Sequence, residues 1–105
     1  MRRKLKKTYY LRKRIQKKTP EGSSYTDYDE AIEIKARIWS ASGRIQAEVY
    51  GEKLTYIKNM EYDGQESMQE GDGICVFVGA EEAPDYKIIS IKHEYNPKVM
   101  ELEAL

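Results

Sequence analysis

The sequence predicts a mainly β protein: a small antiparallel β-barrel or sandwich with one long loop and room for one short helix. Short runs alternate between apolar and polar residues, which is the pattern of half-buried strands. Gly, Pro and Asn interrupt these runs at short intervals, as expected for antiparallel strands joined by turns. The length of 105 residues fits one domain with a single modest core.

A first strand is predicted over residues 9–15, with apolar side chains on one face and basic side chains on the other. Residues 19–24 contain Pro20 and Gly22 and form a clear break. From residue 31 the alternation is cleaner, and it predicts a strand with four apolar side chains facing inward: Ile32, Ile34, Ala36 and Ile38. The outward positions of that strand hold Glu33, Lys35, Arg37 and Trp39.

The segment after this strand is predicted to be the long loop. The sequence Ser-Ala-Ser-Gly at residues 40–43 ends the alternation, and a polar stretch follows as far as Lys53. We therefore assign residues 40–53 to a projecting loop, mobile in the free subunit and ordered in an assembly. A short helix over residues 42–50 is the alternative, because Ile45 and Val49 have helical spacing.

The second half of the chain predicts four more strands. They cover residues 54–62, 74–78, 86–93 and 99–103, and turns at Pro84 and Pro97 separate the last three. Residues 74–78 are almost continuously apolar, which indicates a strand covered on both faces. The residues expected in the core are Ile34, Ile38, Val76, Ile88 and Ile91.

The net charge of zero hides an uneven distribution along the chain. Residues 1–18 carry ten of the 18 basic side chains and no acidic one, so the remaining 87 residues hold eight basic and all 18 acidic side chains. We predict a basic N-terminal arm over residues 1–8, followed by one barrel domain over residues 9–105. The basic side chains assigned to an interface are Arg2, Arg3, Lys4, Lys6, Lys7, Arg12 and Arg14. Such a segment can bind nucleic acid, dock on an acidic protein surface such as a neighbouring copy, or remain a solvated tail.

Residue types that carry catalysis or bind metals are sparse. His93 is the only histidine, and Cys75 is the only cysteine and lies in an apolar run. The acidic residues Glu66, Glu70 and Asp72 match no calcium-loop spacing and predict a solvated turn. We expect no catalytic residues, no cofactor and no metal site. The sequence also contains no apolar run of membrane-spanning length and no secretory signal, so we expect no contact with a membrane.

Several segments in order resemble the head–tail joining family of tailed bacteriophages, which includes head-closure or stopper proteins. The matching features are the strand at residues 11–15, the strand end at 36–39, the Ser-x-Gly break at 42–43 and the strand at 86–91. Residues 50–53 and 56–60 are similar to versions from Gram-positive prophage elements. The resemblance covers residues 9–105.

This resemblance implies a structural protein of the virion neck. Its copies would form a homo-oligomeric ring below the portal that completes the head, extends or closes the DNA channel and joins head to tail. A portal or adaptor ring would lie above it and a tail terminator or other tail component below, while DNA passes without sequence-specific binding. Assembly would take place in the host cytoplasm. The residues expected to face the channel are Ser42, Gly43, Arg44, Gln46, Glu48, Tyr50 and Lys53.

Two further questions stay open from the sequence. Trp39 is either a cap over the end of the barrel or an anchor between subunits. The alternative function is a small nucleic-acid-binding barrel that uses the basic arm, with tyrosines as stacking groups. The acidic body and the scattered tyrosines count against that alternative.

Overall fold

Six strands close into an antiparallel β-barrel in the computed structural model, which describes residues 5–105. The strands are β1 (Lys7–Arg12), β2 (Arg14–Lys18), β3 (Ser24–Tyr28), β4 (Ile32–Ser40), β5 (Ile57–Tyr62), β6 (Gly73–Cys75), β7 (Tyr86–Lys92) and β8 (Lys98–Ala104). The order around the barrel is β1-β4-β5-β8-β7-β6, and β6 pairs with β1 to close it. The predicted fold class is confirmed, in its barrel form.

The two remaining strands extend the barrel outward. Strands β2 and β3 pair only with each other, and they lie between β1 and β4 in the chain. The pairing of Leu11 with Ile32 is therefore followed by a short irregular stretch and then by the pairing of Arg14 with Tyr28. Together β1 to β4 form one long hairpin whose base belongs to the barrel. We call its outer part, residues 14–28, the β2–β3 hairpin.

The prediction of one continuous strand over residues 9–15 is wrong, because the strand is interrupted at Lys13. Strand β1 ends at Arg12, and the next strand belongs to the other sheet. The Lys13 carbonyl accepts a hydrogen bond from the Asp29 N–H, while the Arg14 N–H donates to the Asp72 side chain. The alternation of apolar and polar side chains continues through this stretch, but the backbone changes its hydrogen-bond partners there. Side-chain periodicity cannot predict such a change, because it shows only which face of a strand is buried.

The segment predicted as the loop 40–53 is mostly helical. It contains helix α1 (Arg44–Tyr50) and the start of a 3-10 helix (Gly51–Tyr56), so the helical alternative is the one observed. Gln46 and Tyr50 are one turn apart on α1, as are Ile45 and Val49, and each pair occupies a side of the helix. A polar segment with this spacing forms a helix when the barrel offers polar partners to one of its sides.

Strand β6 is shorter than the predicted strand 74–78. It ends at Cys75 because the Asp85 carboxylate accepts the next two backbone N–H groups, from Val76 at 2.8 Å and Phe77 at 3.0 Å. This side chain replaces the ladder partners that a longer strand would need. Phe77 is consequently exposed.

The barrel interior holds one continuous apolar core, built mainly from Leu11, Ile34, Met60, Ile74, Ile88, Met100 and Leu102. Two of the predicted core residues, Ile34 and Ile88, are buried as expected. The other three, Ile38, Val76 and Ile91, are only partly buried and pack against the core. A barrel of this size is filled by side chains.

Truncation inside the barrel tests this placement of the core. Met60→Ala removes a side chain that is 0% exposed and is expected to lower the free energy of unfolding by about 2–5 kcal/mol. Ile45→Ala is the matched control, because Ile45 is 78% exposed and its loss is expected to stay within about 0.5 kcal/mol. Urea unfolding measures both, and equal losses would contradict the assigned core.

Candidate interaction surfaces

The root of the β2–β3 hairpin is fixed to the barrel by Arg12. Its guanidinium donates to three backbone carbonyls: Asp29 at 2.7 Å, Glu82 at 3.0 Å and Tyr28 at 3.3 Å. These acceptors come from the end of β3 and from the loop between β6 and β7. Arg12 was predicted to belong to an interface arm, but the structure uses it to join the hairpin to the barrel.

Asp72, the residue before β6, also holds the hairpin root. Its carboxylate accepts the backbone N–H groups of Arg14 at 3.0 Å and Gln69 at 2.9 Å, and the residue is only 5% exposed. The sequence predicted a solvated turn here, so this assignment of Asp72 is wrong. A carboxylate that satisfies two backbone donors in a buried position fixes the conformation around it.

The Arg14 side chain covers the loop that carries Asp72. A Cβ atom on Gly71 would lie 2.7 Å from the Arg14 Cζ, and Gly71 has a φ of 96°. The backbone conformation therefore favours glycine at this position, and the absence of a side chain lets the Arg14 guanidinium lie against it. Lys13 also reaches this loop, through a 3.3 Å hydrogen bond from its Nζ to the Ser67 Oγ. Arg14, like Arg12, lies at the root of the hairpin, and its assignment to an interface stays a prediction.

The outer part of the hairpin is exposed and has little core of its own. Ile15, Lys17, Tyr25 and Asp27 share one face of the ribbon, since Ile15 pairs with Asp27 and Lys17 with Tyr25. Tyr25 is 47% exposed, and Lys17 and Asp27 form a 3.0 Å ion pair. The Tyr28 backbone N–H and then Lys17 lower the pKa of Asp27. Because isolated two-stranded ribbons are marginally stable, this hairpin depends on its root.

The N-terminal arm predicted over residues 1–8 overlaps the barrel. Strand β1 begins at Lys7, and the Lys6 Nζ lies 2.8 Å from the Asp63 carboxylate. Arg2, Arg3 and Lys4 fall outside the described residues. Exposed basic side chains are found on the barrel strands, at Lys7 and Lys35, as well as on the β2–β3 hairpin, at Lys17 and Lys18.

A second surface is formed by helix α1 and the strands it packs on. The Gln46 Nε2 lies 2.7 Å from the Asn59 Oδ1 and 2.9 Å from the Glu101 Oε2, and the Asn59 amide donates back to the Gln46 Oε1 at 3.2 Å. Asn59 and Glu101 are opposite each other on β5 and β8 and are 8% and 7% exposed. Polar groups therefore attach the helix to the outside of the barrel.

Tyr50 completes this polar attachment. Burial, a hydrogen bond to the Glu101 side chain and the negative charges of Glu101 and Glu103 raise the pKa of Tyr50 to about 12. Ile57, on the same face of β5 as Asn59, is buried although it is outside the main core. The helical segment thus covers a small region of the outer barrel surface.

The apolar side chains of α1 face solvent. Ile45 is 78% exposed and Val49 is 68% exposed, while the helix contains no buried residue. This arrangement is the reverse of an ordinary surface helix, whose apolar side faces the core. Ile45 and Val49 are one turn apart and together form a small exposed apolar strip.

The residues predicted to face a channel lie on different sides of this helical segment. Gln46 and Tyr50 are directed toward the barrel. The exposed ones are Ser42, Gly43, Arg44, Glu48 and Lys53. Trp39 is partly buried on β4, directly beside Asn59 in the sheet. Sequence reasoning missed Asn59 and Glu101, because only the pairing of β5 with β8 brings them together.

Other features of the described residues carry no recognisable chemistry. His93 is exposed in a turn, and burial raises the pKa of the Cys75 thiol. Within residues 5–105, no three His, Cys, Asp or Glu side chains are grouped as metal ligands would be. A cavity of about 120 Å³ near Tyr62, Met68 and Pro97 is smaller than typical ligand sites. No helix in this part of the chain is long and apolar enough to cross a membrane.

Comparison with known proteins gives no relative: no protein-family model, no curated protein and no solved structure matches the chain.

Removing the Asp72 carboxylate is expected to loosen the hairpin. Asp72→Ala leaves the N–H groups of Arg14 and Gln69 without their acceptor and is expected to lower the free energy of unfolding by about 1–3 kcal/mol. Hydrogen exchange should increase across residues 14–28. Glu70→Ala, an exposed carboxylate on the same loop, is the control. Unchanged exchange in Asp72→Ala would show that the root is held by other contacts.

The attachment of α1 is expected to weaken at high pH. Because the pKa of Tyr50 is raised from 10.0 to about 12, the folded state favours the protonated phenol. This contribution is fully present below pH 10 and is lost as the pH rises through about 12. Urea unfolding across this range should show a smaller loss in Tyr50→Phe than in the unsubstituted protein. Tyr9 and Tyr86, whose pKa values burial also raises, titrate in both proteins, and equal losses would exclude this role of Tyr50.

Proposed function

We propose that this chain is a non-enzymatic assembly protein, a head–tail connector or head-closure component whose copies form a ring below the portal of a tailed bacteriophage. The observation that carries the proposal is the presence of two outward-facing surfaces on one small barrel. One is the basic β2–β3 hairpin with its fixed root, and the other is helix α1 with Ile45 and Val49 in solvent. Such surfaces suit a protein that works by joining others.

The charge distribution supports self-association. The first 18 residues are strongly basic and the rest of the chain is acidic. Opposite charges on different parts of one chain favour contacts between unlike surfaces of neighbouring copies, and such head-to-tail contacts close into rings. An acidic body around a channel would also let DNA slide, because it does not bind phosphates.

The proposal no longer assigns residues 40–53 to the lining of the channel. Residues 40–53 were expected to project into the channel, but Gln46 and Tyr50 hold the segment against the barrel. We therefore assign α1 to a contact between proteins.

A nucleic-acid-binding barrel is the second candidate. The observation that favours it is the group of Lys17, Lys18 and the half-exposed Tyr25 on the hairpin, since cations and aromatic rings together bind single strands. This function would use the hairpin but would leave the exposed apolar side of α1 unexplained.

Imaging and binding measurements separate the two functions. We expect the purified protein to add a ring of density to portal-bearing capsids, and we expect this addition to weaken with salt because screening shortens charge interactions to about 8 Å at physiological ionic strength. We also expect no retention of short DNA at 150 mM salt. Retention of DNA without addition to capsids would support the second candidate and contradict the first.

A further inference from the structure

We propose that copies of this chain join by strand addition, with the free edge of β2 in one copy pairing with the free edge of β3 in the next copy. This inference rests on the proposed function and names the contact through which the ring closes. The arguments are the pattern of bonded and open backbone groups along the β2–β3 hairpin, the unbroken register of its strands and the opposite charges of its two edges.

Every second residue of the hairpin directs its backbone outward. The Thr19 N–H donates to the Ser23 carbonyl at 2.7 Å, and the Asp29 N–H donates to the Lys13 carbonyl at 2.8 Å. In an antiparallel pair, residues that exchange hydrogen bonds alternate with residues whose N–H and C=O groups face away from the partner strand. The odd-numbered residues therefore bond within the hairpin. The outward-directed residues are the even-numbered ones: Arg14, Gln16 and Lys18 on β2, and Ser24, Thr26 and Tyr28 on β3.

Near the root, these outward-directed groups already have partners. Asp72 accepts the Arg14 N–H. The Tyr28 N–H donates to the Asp27 carboxylate, and the Tyr28 carbonyl accepts a hydrogen bond from Arg12. Both strands are exposed beyond this point, and within residues 5–105 neither has a second neighbour in its sheet. The hairpin edges are thus covered at the root and open toward the tip, where the outward-directed residues are Gln16, Lys18, Ser24 and Thr26.

The backbone of the open edges is suited to accept another strand. Strands β2 and β3 pair over five residues each without a shift in register, and neither contains proline. Bulges and proline are two of the devices by which natural sheets block addition at an exposed edge. A ribbon of only two strands is also marginally stable, and further strands on its edges would stabilise it. Main-chain hydrogen bonds would supply the affinity of such a contact.

Charge selects which edges pair. Strand β2 carries Arg14, Lys17 and Lys18 and no acidic residue, while β3 carries Asp27 and no basic residue. Two β2 edges, or two β3 edges, would bring like charges onto adjacent strands, which is destabilising. A β2 edge beside a β3 edge brings opposite charges together, as the 3.0 Å pair of Lys17 and Asp27 already does within one hairpin. Each exposed pair contributes little, so charge selects the partner and the backbone holds it.

This pairing of unlike edges generates a ring. Strands β2 and β3 are antiparallel within the hairpin. In a ring with rotational symmetry all hairpins point in the same direction, so β2 of one copy is also antiparallel to β3 of the next. The contact uses one edge of each kind in every copy and repeats until the ring closes. The hairpins then form a second barrel, of alternating β2 and β3 strands, which has no free edge.

Removing one outward N–H tests the contact. Gln16→Pro deletes an N–H that the hairpin does not use, so its internal bonds are expected to remain. We expect each contact to weaken roughly tenfold, as measured by sedimentation at several concentrations. Gln16→Ala is the matched control and should stay within roughly twofold. Both variants lose the 3.2 Å bond from the Gln16 side chain to Thr26, so they differ in the backbone group.

Mixing two proline variants tests the pairing of unlike edges. Gln16→Pro blocks the β2 edge and leaves the β3 edge open, whereas Thr26→Pro blocks the β3 edge and leaves the β2 edge open. Each variant alone should remain monomeric where the unsubstituted protein associates. The mixture should form one-to-one dimers that do not grow further, because only one pair of matching edges is available. Hairpins that proline had unfolded would not give this dimer.

Hydrogen exchange gives a measurement without substitutions. On assembly of the unsubstituted protein, we expect new protection at the even-numbered N–H groups of the open edges, those of Gln16, Lys18, Ser24 and Thr26. The odd-numbered groups between them are already bonded within the hairpin and should change little. Docking through side chains alone would not protect every second residue. If proline opens the hairpin, this alternation decides the question by itself.

The outcomes separate this inference from the proposed function. Monomeric proline variants, a limited dimer on mixing and alternating protection support strand addition. Proline variants that associate as well as Gln16→Ala, or folded variants that give no dimer on mixing, would overturn it. If the protein assembles only on capsids, incorporation of each variant there is compared instead. Normal rings from the proline variants would overturn strand addition and leave the function standing, whereas no rings from the unsubstituted protein would overturn the function.

Discussion

The structure depends most on the way the chain leaves the barrel and returns to it at the root of the β2–β3 hairpin. Asp72 is the central group there: a buried carboxylate that accepts the N–H groups of Arg14 and Gln69. Arg12 adds to this by donating to three backbone carbonyls. Without these bonds, the change of backbone partners at Lys13 would leave buried polar groups unsatisfied, and the ribbon beyond it would not hold its direction.

A similar use of polar contacts attaches helix α1. In most small proteins a surface helix is held by apolar side chains, and its polar side faces water. Here Gln46 and Tyr50 bind Asn59 and Glu101, and the apolar residues remain outside. The helix thus covers polar groups of the barrel, while its apolar side faces solvent. An exposed apolar strip beside a closed barrel is consistent with the assembly role proposed above.

The sequence predicted the regular part of this architecture well and the junctions poorly. The alternation through Ile34 and Ala36 located β4, and the runs near the C-terminus located β7 and β8, because side-chain periodicity records which face is buried. It failed at Lys13 and at Val76, where side chains of distant residues replace ladder partners. The sequence also could not predict the polar contacts that attach α1, because Asn59 and Glu101 become neighbours only through the pairing of β5 with β8.

Strand β4 joins the two contact elements and pairs with β1 along one edge and β5 along the other. A pull between the hairpin and α1 would run along this strand, parallel to its neighbours. The hydrogen bonds on both edges would then be loaded together in shear, and not opened one after another as in peeling. Strand β4 would therefore carry mechanical load between these two elements, with ladder partners on both of its edges.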